Sequence, residues 1–418
     1  MLRNKQNNID MNSNKNIPQL RFPEFTGEWE EKPLSSFLHE HKTKSDGKCE
    51  VHSVSVTKGV VNQVEYLGRS FAAADTSKYN LVKPNDIIYT KSPTGAFPYG
   101  IVKQNKNPYN VIVSPLYAVY SPINKYVGYI LDSYFESPER TNNYLSSLIQ
   151  KGAKNTINIT NDTFISKCMC LPSDPAEQQK IAECLSEIDN LITAQGEKVD
   201  TLKEKKKGMM QQMFPQKGET TPRLRFPGFT GEWDNIKLSK EATSFSGGTP
   251  KSGNPQYYGG NIPFIRSGEI HGSETALFIT EEGLNNSSAK LVKKGDLLYA
   301  LYGATSGEVA ISKIEGAINQ AILCIRSTKI NICFLCNYLE KIKDLIISRY
   351  LQGGQGNLSS EIIMSLYIPL PPTTLEQQKI AECLSAMDDM IVYESEKLEV
   401  LKDHKKGLMQ QLFPQPNK

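Results

Sequence analysis

Two stretches of the chain carry the same apolar rhythm. Ile181, Leu185, Ile188, Ile192, Val199, Leu202, Met209 and Met213 alternate by four and three, interrupted where Gln195 and Lys206 stand. Ile380, Leu384, Met387, Ile391, Leu398, Leu401, Leu408 and Leu412 repeat the pattern, with Glu394 and Lys405 at the corresponding breaks. A period of 3.5 predicts a coiled-coil seam, and polar groups on such a seam fix its register. Asp174-Pro-Ala-Glu177 supplies a capping carboxylate and a proline at the first helical position, and Thr373 offers a hydroxyl cap for the second copy. Phe214-Pro215 and Phe413-Pro414 are the stops. Each helix is therefore about 38 residues, or roughly 57 Å, long. Neither can bury its stripe alone, so the two are expected to pair with each other. A pseudo-two-fold relation would make the pair antiparallel, with the intervening segments at opposite ends.

The rhythm recurs because the sequence does. Glu177-Gln-Gln-Lys-Ile-Ala-Glu-Cys-Leu-Ser186 returns unchanged at Glu376 to Ser385, and Lys206 to Gln216 returns nearly so at Lys405 to Gln415, both 199 residues on. A second repeat opens each half. Leu20-Arg-Phe-Pro-Glu-Phe-Thr-Gly-Glu-Trp29 reappears as Leu224-Arg-Phe-Pro-Gly-Phe-Thr-Gly-Glu-Trp233, 204 residues later, and reads as a packing clip. Between them one echo survives: Leu81-Val-Lys-Pro-Asn-Asp-Ile-Ile-Tyr89 against Leu291-Val-Lys-Lys-Gly-Asp-Leu-Leu-Tyr299, a buried strand entered through a turn. Its displacement of 210 means that loop lengths have diverged on one scaffold.

Short β-branched runs at 51–56, 110–120, 308–311 and 320–326, with longer helical patterns at 126–150 and 332–351, make each intervening segment mixed α and β. The expected class is α+β: two mixed α/β domains separated by two long antiparallel coiled-coil helices, an internal repeat. The expected boundaries are a disordered polar tail over 1–17, a first variable domain over 18–172 and a first long helix over 173–215. A linker and second variable domain follow over 216–371, and a second long helix over 372–418.

Composition changes this picture little. Hydrophobic residues at 39%, charged residues at 22% and a net charge of +3 suit a globular soluble chain and do not by themselves announce a polyanion partner. No apolar run is long enough for a signal sequence or a membrane span. Eight cysteines, two of them in the repeated helix, read as reduced thiols of a cytoplasmic protein. The basic run Lys203-Glu-Lys-Lys-Lys207 sits where a helix C-terminus favours cations.

Catalytic tools are missing. The chain has no phosphate loop, no dinucleotide fingerprint and no nucleophile elbow. Asn107-Pro-Tyr-Asn110 lacks the second proline of the amino-methyltransferase tetrad, and no glycine-rich cofactor loop precedes it. His39-Glu-His41 reads as solvated surface, and Cys333-Phe-Leu-Cys336 as core packing inside an apolar helix. The expectation is a binding protein without catalytic, cofactor or metal residues.

At this point the doubled Glu-Gln-Gln-Lys-Ile-Ala helices, their Lys-Lys-Gly-Met/Leu-Met-Gln-Gln-Met/Leu-Phe-Pro ends and the Leu-Arg-Phe-Pro-x-Phe openings resemble one family. It is the DNA specificity (S) subunit of Type I restriction-modification systems. Ser246-Gly-Gly-Thr-Pro-Lys251, Phe264-Ile-Arg-Ser-Gly-Glu-Ile270 and Gly303-Ala-Thr-Ser-Gly307 look like parts of its target-recognition domain. The resemblance implies two such domains, each reading half of a bipartite double-stranded DNA site. The helices would act as spacer and as docking surface for two methyltransferase (modification) subunits and for restriction subunits. S-adenosylmethionine, ATP and Mg would belong to those partners, none to this chain, and no membrane would be involved. The competing expectation is a coiled-coil scaffold whose variable domains bind proteins.

Base readout needs Arg or Lys for guanine, Asn or Gln for adenine, and hydroxyls, on loops that enter a groove. The candidates in the second domain are Thr249, Lys251, Tyr258, Arg266, Tyr302, Thr305, Ser306 and Gln355. In the first they are Lys58, Arg69, Lys91, Ser92, Thr94, Lys154 and Asn155, and the Gly-Gly-Thr-Pro motif has no counterpart there. Residues 35–170 hold 15 Lys+Arg and 10 Asp+Glu, residues 239–370 hold 12 and 11, so partners are expected to supply much of the phosphate neutralisation.

Overall fold

The computed structural model describes residues 3–4, 16–151, 157–350 and 357–414. The chain forms two compact units. The first comprises Met1–Gln195 with Lys397–Lys418, the second Gly196–Glu396. The long helices are Pro175–Met213 and Thr374–Leu412, each of 39 residues. Their starts are set as the capping residues dictate: Asp174 Oδ1 accepts the Ala176 N–H at 2.8 Å, and Thr373 Oγ1 accepts that of Glu376 at 3.3 Å.

Within each unit the start of one long helix packs with the end of the other, which is antiparallel pairing. In the first unit Ile181, Ala182 and Leu185 share a core with Met409, Leu412 and Phe413. In the second, Ile380, Ala381 and Leu384 share one with Met210, Met213 and Phe214. Of the seam positions, Ile181, Leu185, Ile188, Val199, Met213, Ile380, Leu384, Met387 and Leu412 are buried. Ile192, Leu202, Met209, Ile391, Leu398, Leu401 and Leu408 are half-buried. Near both C-terminal ends the buried residue is Met210 or Met409, one position past Met209 and Leu408. An α-helix of 3.6 residues per turn drifts against a 3.5 repeat, so the covered face slips along the sequence.

The charged breaks in the seam, Lys206, Lys405 and Glu394, are in ion pairs. Lys206, 7% exposed, reaches Asp388 at 2.8 Å and Glu340 at 2.9 Å. Lys405 makes the same pattern with Asp189 at 2.7 Å and with Glu136. Glu394 is held by Lys198 at 2.7 Å. Lys206 and Lys405 thus each have two carboxylates, one from the opposite long helix and one from the variable domain of their own unit.

The opening motifs are locks on the helix starts. Arg21 grips Glu177 through two bonds of 2.6 and 2.8 Å, and Arg225 grips Glu376 at 2.7 and 2.9 Å, the carboxylates being 2% and 1% exposed. A bidentate guanidinium compensates such a buried charge, whereas a point charge would do so poorly. The guanidiniums also bind turn carbonyls at Gly27 and at Thr230 and Gly231, and Trp29 and Trp233 are buried. Within the tail expected over 1–17, Arg3–Asn4 pairs antiparallel with Leu20–Arg21.

The variable domains share a framework. A four-stranded antiparallel sheet has the order Leu38–Glu40, Ala118–Pro122, Ile87–Thr90, Ile101–Gln104 in the first unit. Thr243–Ser246, Ile322–Arg326, Leu297–Ala300 and Val309–Ile311 follow that order in the second. The echoed segments supply the strands leading to Tyr89 and Tyr299, both buried. Entry and exit strands pair in each unit: Glu31–Pro33 with Cys168–Cys170, and Asp234–Lys237 with Tyr367–Leu370.

Two expected helices are each split. The pattern over 126–150 breaks into Lys125–Phe135 and Pro138–Ser146 because Pro138 bars the preceding residue from helical geometry, and Ser137 caps the new helix instead. The pattern over 332–351 becomes Ile332–Lys341 and Lys343–Tyr350, interrupted at Ile342.

Candidate nucleic-acid interface

In the second unit the end of strand Tyr258–Ile265 runs parallel to Gly316–Ile318, with Phe264 opposite Ala317 and Ile265 opposite Ile318. Parallel strands end on the same side, so Arg266 and Asn319-Gln320 emerge together. The Gly247-Gly248-Thr249 segment crosses this end, with Gly248 N–H donating to Ile318 O at 3.2 Å. A Cβ on Gly247 would lie 1.8 Å from that oxygen, and one on Gly248 2.6 Å from Ser288 Cβ. Both glycines are required by this close approach. Leu301 N–H donates to Ala321 O at 2.8 Å, which sets Tyr302 beside Gln320.

These backbones deliver a polar cluster. Thr249 Oγ1 donates to Gln320 Oε1 at 2.6 Å, beside Tyr302. Burial pushes the Tyr302 phenol up, with the amide contact opposing that rise. Gln320 is exposed. It was not among the sequence candidates, although Asn319-Gln320, an amide pair interrupting the apolar run from Ala317 onward, was its signal. Tyr258 Oη donates to Pro250 O at 2.6 Å and so braces the same segment, while Lys251 is exposed.

Arg266 is exposed, and its guanidinium is fixed by Glu269 through bonds of 3.1 and 2.9 Å. Two of its five N–H donors are thereby used, leaving three for an outside acceptor. The Arg266 guanidinium foremost holds the Glu269 carboxyl down at about 2, and bonds from Ala276 N–H and Thr275 Oγ1 add to this against the cost of burial. Thr305 and Ser306 are half-buried. Ser306 Oγ donates to Gly303 O at 2.9 Å, holding the turn between two strands. Gln355 lies outside the described residues.

In the first unit the corresponding place is built differently. Val111–Val113 pairs with Asn80–Val82 as Gly316–Ile318 pairs with Lys290–Val292, but the parallel neighbour shrinks to one bridge, Val51 with Ile112. Counting along the matched strands puts Pro115 where Gln320 stands and Ser92 where Tyr302 stands. The amide cluster is therefore not repeated. Lys58 sits in the turn between His52–Ser55 and Gly59–Asn62, and Lys91, Ser92 and Thr94 follow strand Ile87–Thr90, all exposed. Arg69 lies 4.5 Å over the exposed Phe71 ring, beyond the short helix Gln63–Leu67, which also exposes Val64, Tyr66 and Leu67. Among the described residues no hydrogen bond or ion pair joins Lys58, Arg69 and Lys91. Lys154 and Asn155 lie outside the described residues.

Cys333 and Cys336 pack against the second unit's core, and burial pushes the Cys336 thiol up to about 12, opposite to what a metal thiolate requires. His39 is exposed, but His41 contacts Asp86 at 2.8 Å and is less solvated than expected. Among the described residues no cluster of three metal-ligating side chains occurs, and no helix is long and apolar enough to cross a membrane.

Residues 230–403 match the model of the Type I restriction modification DNA specificity domain. The putative type I restriction enzyme MjaX specificity subunit of Methanocaldococcus jannaschii is 30% identical over 258 residues, 59% of either chain. The MjaVIII specificity subunit of the same organism is 28% identical over 271 residues, 60% of this chain and 63% of that one. The chain thus spans about three fifths of the length of these curated relatives. In fold it is similar to the crystal structure of the Type-I restriction-modification system S subunit from M. genitalium. That similarity has a TM-score of 0.60 and 14% identity, over 96% of this chain and all of that one. A chain from a structure of the type I R-M system gives a TM-score of 0.53 at 16% identity, over 92% and 97%. Over residues 230–403 and in its overall fold, the chain is thus similar to DNA specificity subunits of Type I restriction-modification systems.

Proposed function

We propose that this chain reads a bipartite double-stranded DNA target, one half with each variable domain, and directs two methyltransferase subunits and restriction subunits to it in the cytoplasm. The observation that carries this reading is a contrast. The helix locks and the ion pairs of Lys206 and Lys405 with the opposite helix are repeated residue for residue, while the strand-end clusters differ between the units. A duplicated scaffold with two unlike tips suits two different half-sites presented to identical partners. Chemistry would rest with those partners, which would hold S-adenosylmethionine, ATP and Mg; the residues of this chain supply position and base contact.

Methylome sequencing of cells with and without this gene tests the proposal. The expected result is a modified motif of two fixed segments flanking a variable spacer, present only with the gene. An unchanged methylome in cells that express a modification subunit, or a continuous motif, would count against it.

A further inference from the structure

Gln320 is the exposed amide in the second unit's cluster, and its oxygen is engaged by a neighbour. The carbonyl oxygen has two lone pairs, one of which takes the Thr249 hydroxyl at 2.6 Å. The amide nitrogen carries two N–H groups. One acceptor site on the oxygen and an N–H donor therefore remain on this exposed side chain. We propose that Gln320 reads an adenine in the major groove with this pair, accepting from N6–H and donating to N7.

The edges of the other bases do not fit the same pair. Guanine offers two acceptors there, thymine one acceptor and a methyl group, and cytosine a donor alone. An unrestrained glutamine can turn its amide over and lose this distinction. Here the 2.6 Å bond with the Thr249 hydroxyl restrains the amide. The backbone is fixed as well: Gln320 follows the buried strand Gly316–Ile318, and Ala321 N–H donates to Asn319 Oδ1 at 3.1 Å while Ala321 O accepts from Leu301. Most of the side-chain entropy cost of binding is therefore met before DNA arrives. Thr249 and Tyr302 act on the base through Gln320 and are positioning residues.

This inference rests on the DNA-reading role proposed above, and one experiment separates the two. The full-length chain, co-expressed with a Type I modification subunit, is used to select from a random-sequence duplex library. The wild type is expected to enrich two fixed segments. Gln320→Ala should lower the preference for one adenine in one segment by ten- to a hundredfold, on the order of one bidentate contact, and leave every other position unchanged. Gln320→Glu, an acceptor only, should move that position toward cytosine. Thr249→Val should relax the same position by less. An unchanged motif in Gln320→Ala, or weakening spread evenly over all positions, would overturn the role of Gln320 while leaving DNA reading intact. Failure of the wild type to enrich any sequence would overturn the DNA-reading role and this inference together.

Discussion

The two units agree where side chains meet the long helices and disagree where they meet solvent at the strand ends. Arg21 with Glu177 and Arg225 with Glu376, or Lys405 with Asp189 and Lys206 with Asp388, are the same contacts made twice. Pro115 and Ser92 against Gln320 and Tyr302 are not. The lesson is that duplication preserved what sets geometry and released what sets information. A contact buried at a helix start has one solution, whereas a tip residue answers only to whatever it touches.

The sharpest way to break this comparison is at the locks. Arg225→Ala strands the Glu376 carboxylate in a buried site, and a loss of about 3–5 kcal/mol is expected in urea denaturation, with Arg21→Ala costing as much in the other unit. Widely unequal losses would show that the two locks are alike in shape only. Next come the tips. Tyr302→Ala should relax one half-site by about 1–3 kcal/mol in a binding assay on single-base variants and spare the other, and Ser92→Ala should do the converse more weakly. Equal effects on both half-sites would contradict a division of labour.

A smaller effect distinguishes the units by pH. Glu269 sits at about 2 in the folded chain against 4.5 without its partners. Because the folded value is the lower one, its contribution is complete above about 4.5 and is lost as the pH falls toward about 2. After solvent screening about 1 kcal/mol is expected, and Glu269→Gln should remove that part of the acid-denaturation profile. The smallest change is expected at the seam. Lys206→Met and Lys405→Met replace a paired charge by an apolar side chain of similar length, and stability should move by no more than about 1 kcal/mol in thermal melts. A large loss in either would make the ion pair a source of stability and not only of register.

The helices, their caps and their antiparallel pairing were legible in the sequence because a 3.5-residue period and an exact repeat are local signals. The clip was legible as a clip, but not its mechanism, since Arg21 and Glu177 are 156 residues apart and only folding brings them together. The helix break at Ser137-Pro138 was written in a dipeptide; the one at Ile342 carries no such mark. Gln320 was hidden for the same reason as the lock. Its importance depends on a parallel strand pairing and on a hydroxyl from a distant segment, neither of which leaves a periodic trace. The splitting of Gly-Gly from Thr in the Gly247-Gly248-Thr249 segment, two residues for backbone clearance and one for an amide, likewise appears only in three dimensions.

The pairing of entry and exit strands has a thermodynamic consequence. Glu31–Pro33 lies against Cys168–Cys170, and Asp234–Lys237 against Tyr367–Leu370, so each variable segment leaves and rejoins the scaffold at one closed neck. The chain entropy of closing a loop grows only with the logarithm of its length. Lengthening or shortening the segment beyond the neck therefore costs the scaffold fractions of a kcal/mol, and the neck behaves as a socket indifferent to the size of what is plugged into it.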